Sequence, residues 1–104
     1  GGRSVSNREL TALVNGSEAV VVDVRPHKDF ATGHIVQALN IPYDKVAERM
    51  VELEKHKANT IIVMDAVGQH AGGVCRDLKA AGFDAVKLAG GISGWRGDNL
   101  PVVK

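Results

Sequence analysis

The sequence predicts an α/β domain built on a largely parallel sheet. Short β-branched runs alternate with segments of helical periodicity, and proline, aspartate or glycine closes each run. At 104 residues the chain holds one hydrophobic core and leaves little for a second.

Taken in order, Ser6-Asn7-Arg8-Glu9 has capping-box form, with the Ser6 hydroxyl placed to accept from the Glu9 amide. Leu10, Leu13 and Val14 then make one apolar stripe, and Gly16 is expected to end that helix as a left-handed cap. Ala19–Val24 reads as a buried strand, apolar except at Asp23 and stopped by Pro26. His27–Thr32 predicts a short helix ended by Gly33, and Ala38–Ile41 a short strand closed by Pro42. The spacing of Val46, Met50, Val51 and Leu53 predicts an amphipathic helix over about 43–54. Asn59–Met64 is the next core strand and Asp65–His70 a loop. A helix over about 71–81 follows, turning Val74, Cys75, Leu78 and Ala81 inward, with Gly82 as its cap. Ala85–Leu88 is the last clear strand, and Gly90-Gly91 leads into a short helix that buries Trp95. There is no repeat, low-complexity run or linker. The reading is a single domain over 1–104, with residues 1–4 expected to be a flexible lead.

Composition removes several classes of function. Thirteen Lys and Arg against twelve Asp and Glu lack the basic excess of a nucleic-acid binder. Four scattered aromatics, Phe30, Tyr43, Phe83 and Trp95, do not form a base-stacking platform. The single cysteine excludes an intramolecular disulfide and any multi-cysteine metal site. His27, His34, His56 and His70 lack the paired spacing of helical metal ligands, so no metal site is expected, and no cofactor is expected either. The longest clean apolar runs, Ala19–Val22 and Ile61–Met64, are four residues each, far short of the roughly 18 a membrane span requires. The expectation is a soluble domain facing the cytoplasm. A preceding membrane anchor is left open by a start that carries no initiator Met.

The most informative stretch is Ile61-Ile62-Val63-Met64-Asp65-Ala66-Val67-Gly68-Gln69-His70-Ala71-Gly72. It reads as strand, tight glycine-containing loop, then helix, at the sheet edge where α/β folds place ligands. Backbone N–H groups of such a loop and the following helix N-terminus converge on an anion. The first loop position suits a nucleophile, and it holds Asp65.

Several blocks together resemble the rhodanese (thiosulfate sulfurtransferase) domain: Val22-Asp23-Val24-Arg25-Pro26, Gly33-His34-Ile35, Ala38-Leu39-Asn40-Ile41-Pro42, Ala80-Ala81-Gly82-Phe83, and Leu88-Ala89-Gly90-Gly91-Ile92-Ser93-Gly94-Trp95. They follow the family's order and spacing over nearly the whole chain. The likeness is closest to single-domain bacterial rhodanese-like proteins, some carried on an N-terminal membrane anchor. The resemblance implies a five-stranded, mainly parallel sheet with helices on both faces. The family's active loop runs from a catalytic cysteine, through a glycine three positions on, to an arginine at the fifth and a serine at the sixth. This chain keeps Gly68 but has Asp65, His70 and Ala71 at the other three positions.

In active relatives the cysteine thiolate takes up sulfane sulfur as a persulfide, which a carboxylate cannot do. The leading expectation is therefore a binding or regulatory module with no catalytic residue assigned, its degenerate loop being Asp65, Ala66, Val67, Gly68, Gln69 and His70. Asp65 would act as a built-in anion for the loop amides. A protein partner would dock at the loop edge, around Ala66–His70 and Arg25–Lys28. Two alternatives stand beside it: a sulfurtransferase working through Cys75, and a weak anion-binding or hydrolytic site using Asp65 and His70. Against these, Cys75 is in phase with Leu78 and reads as core, and His70 reads as a partly exposed loop residue. By resemblance, Asp23 and Arg25 fix neighbouring backbone.

Overall fold

The computed structural model describes residues 3–104. Five strands form one sheet in the order β1-β5-β4-β2-β3: β1 Ser4–Val5, β2 Ala19–Asp23, β3 Leu39–Asn40, β4 Thr60–Met64 and β5 Asp84–Leu88. Every neighbouring pair is parallel. The chain steps from β2 outward to β3 on one side and from β4 outward to β5 on the other, while β1, the first strand, lies at the far edge beside β5. The helices are α1 Asn7–Asn15, α2 His27–Phe30, α3 Val46–Arg49, α4 Ala71–Ala80 and α5 Gly91–Gly97. None is long and apolar enough to cross a membrane.

Successive strand side chains point to opposite faces, so a sheet covered on both sides needs unbroken apolar runs. In β4, Ile61 and Val63 enter one cluster with Leu53, Val74 and Leu78, while Ile62 and Met64 enter another with Leu10, Ile92 and Trp95. In β2, Val22 belongs to the first cluster and Val21 to the second. Helices α3 and α4 therefore cover one face, and α1 and α5 the other.

The capping box at Ser6 and Glu9 is formed, with reciprocal bonds of 3.1 and 3.0 Å. At the other end of α1, Gly16 has φ −83° and is not left-handed; Ser17 takes that role at φ 57°. The Glu18 amide returns to the Leu13 carbonyl and the Ser17 amide to Val14, which makes a Schellman motif centred one residue beyond the glycine. The end of α4 matches the expectation: Gly82 has φ 93°, and Phe83 donates back to Leu78. Ala81, expected to face the core, is the exposed C-cap of that helix.

The segment over 43–54 is not one α-helix. A single α-turn, Val46–Arg49, lies between 3-10 turns at Tyr43–Lys45 and Met50–His56. A 3-10 helix repeats every three residues, so Met50, Leu53 and His56 share the inner face and Val51 is 74% exposed. The ion pairs Lys45–Glu48, Arg49–Glu52 and Glu54–Lys57 all span three residues, the spacing that this geometry brings into line. Of the expected flexible lead, Ser4 already pairs with Lys87 in β1 and the Arg3 carbonyl accepts from the Lys87 amide. Gly1 and Gly2 lie outside the described residues. Near the C-terminus His34 and Val103 form an antiparallel bridge that no sequence signal announced.

Candidate active-site loop

Strand β4 lies between β2 and β5, and Asp65 follows its last residue at the carboxyl edge of the sheet. Here the connections leave in opposite directions, which opens a crevice beyond the strand ends. Asp65 is 2% exposed. Its Oδ1 accepts from the Gly68 amide, and its Oδ2 from the amides of His70 at 2.6 Å and Ala71 at 3.1 Å. Bonds of this charge-assisted kind are roughly twice as strong as neutral ones. Gly68 holds φ 106° with no atom within 4 Å of a built Cβ, so backbone conformation alone favours glycine there.

Helix α4 has His70 at its N-cap, whose side chain makes no capping bond. The Asp65 carboxylate takes over that function from five residues upstream. It satisfies the first helical amide and sets negative charge at the positive end of the helix dipole.

The root of the loop is clamped from the opposite side. The Ile92 amide donates to the Asp65 carbonyl at 2.9 Å and the Ser93 amide to Ala66 at 3.0 Å. These contacts need Gly91, at φ 60°, because a Cβ there would stand 2.6 Å from both carbonyl oxygens. The Gly90-Gly91 dipeptide signals such a close approach, but nothing in the sequence says what is approached. The expected burial of Trp95 holds: the ring is 5% exposed and its Nε1 donates to the Pro101 carbonyl at 2.9 Å.

A cleft of about 270 Å³ opens above the loop, bounded by Arg25, Asp29, Tyr43, Asp65, Gln69 and His70. Arg25 and Asp23 are both buried and form a salt bridge at 2.7 Å. The remaining guanidinium bonds run to the Gly33 carbonyl at 2.8 Å and the Asp29 carbonyl at 3.3 Å. Asn40 ties the Asp23 and Arg25 carbonyls together, both at 3.0 Å. The pair thus braces the turn after β2, as expected.

Tyr43 is the residue that sequence reading missed. Its ring lies flat on that of His70, with centroids 3.8 Å apart and an interplanar angle of 2°. His70 itself is exposed, as expected of a loop histidine. Cys75 does not join the site. It is 4% exposed, packs in the cluster of Leu78 and Phe83, and burial pushes its thiol above the ordinary value, with Lys79 and Lys87 partly opposing.

A sheet of this order with a ligand loop after its central strand is what the rhodanese-like fold provides, and the comparisons agree. The Rhodanese-like domain model matches residues 6–98, and the chain belongs to that family. It is 41% identical over 102 residues to YibN of Escherichia coli K12, covering 96% of this chain and 71% of that protein. It is also 30% identical over 100 residues to YtwF of Bacillus subtilis, which carries a sulfurtransferase name, with 95% of each covered. Among solved structures, a rhodanese-related protein of Thermoplasma volcanium superposes with a TM-score of 0.88 at 28% identity, covering 97% of both chains.

Proposed function

We propose that this rhodanese-like domain is a binding module that does not transfer sulfur, with Asp65 at the position where the family's sulfurtransferases carry their catalytic cysteine. The observation that carries this reading is the engagement of the Asp65 carboxylate by three loop amides, Gly68, His70 and Ala71. In a sulfurtransferase those donors would face an incoming thiosulfate or a persulfide. Here they hold an anion that belongs to the chain, and its charge repels a second one. A carboxylate oxygen cannot take up sulfane sulfur as a persulfide. Fold kinship alone carries no activity once the reacting group has changed. Transfer through Cys75 finds no support in its position: the thiol is buried among apolar neighbours and held protonated.

The surface such a module presents is the loop edge. Val67 is 59% and Tyr43 44% exposed, and Pro26 to Asp29 are exposed as well, with Pro26, Asp29 and Tyr43 lining the cleft. Intact mass before and after incubation with thiosulfate, under non-reducing conditions, tests the reading alongside Asp65→Cys. The expected result is no gain on the native protein. A gain of one sulfur on the native chain overturns the reading, and its disappearance in Cys75→Ser would assign that sulfur to Cys75.

A further inference from the structure

Three loop amides at the foot of the cleft, and most of the Arg25 guanidinium beside them, are already engaged within the chain. The Gly68, His70 and Ala71 amides are committed to Asp65. The guanidinium of Arg25 is committed through all three nitrogens to Asp23 and to the carbonyls of Asp29 and Gly33. Once Arg25 is set against Asp23, the charges left on the cleft lining are the carboxylates of Asp29 and Asp65. Asp29 is exposed, and its carboxylate has no ion-pair partner among the described residues. Tyr43 and His70 line the same cleft, their rings stacked in parallel planes with centroids 3.8 Å apart.

We propose that this cleft accepts a cation, the guanidinium of an arginine presented by a partner protein. The inference rests on the binding-module reading above and names the chemistry of its partner. A free carboxylate and an aromatic pair lining one cleft match a planar, weakly hydrated cation, which pairs through its edge and stacks through its plane. Arginine meets this better than lysine, whose compact ammonium is strongly hydrated and has no plane to stack. Exposed apolar contact on Val67 and Tyr43, flanking the cleft, suits a protein surface around the inserted side chain.

The probe is the blocked peptide acetyl-Ala-Arg-Ala-amide, titrated into the ¹⁵N-labelled protein and followed through its backbone amides. Its citrulline counterpart and sodium sulfate serve as comparisons. The arginine peptide is expected to shift Ala66, Gln69 and His70 saturably, with weaker affinity at higher salt and at least a fivefold loss in Asp29→Asn. Tyr43→Leu is expected to weaken it independently. Equal binding of the citrulline peptide, an unchanged affinity in Asp29→Asn, or saturable shifts from sulfate in place of the arginine peptide would each overturn the proposal. If the peptide does not bind and thiosulfate adds no mass, the cation inference falls and the binding-module reading stands. If thiosulfate adds a sulfur, the module reading falls first.

Discussion

Gly91 and Asp65 meet backbone to backbone, so close that a single added carbon on Gly91 would stand 2.6 Å from the Asp65 carbonyl oxygen. The loop is therefore fixed at two levels. Its main chain is pinned by α5 and its side chain by its own amides, and the two restraints come from opposite sides of the sheet edge.

Gly91→Ala should accordingly destabilise the protein by more than about 2 kcal/mol, combining left-handed strain with a clash against backbone that has no room to move. Gly97→Ala is the matched control: it is exposed in the same helix and its added carbon meets nothing within 4 Å. There the change should be neutral or stabilising by up to about 1 kcal/mol. Urea denaturation of both variants measures the difference.

Asp65→Asn keeps the shape of the side chain but replaces one acceptor oxygen with an amide nitrogen that faces donors. A loss of about 1–3 kcal/mol in unfolding free energy is expected, with faster hydrogen exchange at the Gly68, His70 and Ala71 amides. Unaltered exchange at those three positions would mean that the carboxylate does not hold the loop.

Ser17 occupies a left-handed conformation next to a glycine that does not. Ser17→Gly should stabilise the chain by about 0.5–1 kcal/mol by relieving that strain, visible as a raised urea midpoint with the same slope. Gly16→Ala tests the complementary point, since Gly16 needs no special backbone freedom and its built carbon makes ordinary contacts of 3.4 Å and beyond.

Cys75 offers a pH test. Burial raises its thiol, so the folded chain holds the proton more tightly than the unfolded one. This contribution to stability is fully present below the unfolded thiol value, about 9.0, and is lost as the pH climbs through the folded value. Native protein at pH 8 should react with a thiol reagent only slowly, and at a rate that rises steeply in urea. Cys75→Ala should cost about 1 kcal/mol by emptying a packed position.

The central strands were legible because a two-faced sheet demands apolar residues at nearly every position, and Ala19–Val22 and Ile61–Met64 supply them. The two-residue strands were harder to place. Nothing in Ser4–Val5 distinguishes a strand from a lead segment, since its partner is Lys87–Leu88, more than eighty residues away. Over 43–56 the apolar spacing fits both a 3.6- and a 3.0-residue period for Met50 and Leu53, and only the exposure of Val51 separates them. At the site, Asp65 and its loop could be read because strand, glycine and helix follow one another along the chain. Tyr43 could not, because it reaches His70 across 27 positions of sequence through a turn between β3 and α3.

The carboxylate that fills the loop is covalently attached to it. A dissolved anion competing for the same three amides meets a rival that bears no cost of association, because the chain already holds it in place. On the reading proposed above, the occupancy of the cradle is set by the chain itself rather than by dissolved sulfate, phosphate or thiosulfate. A module of that kind would present its partner with a fixed surface rather than with the state of a bound anion.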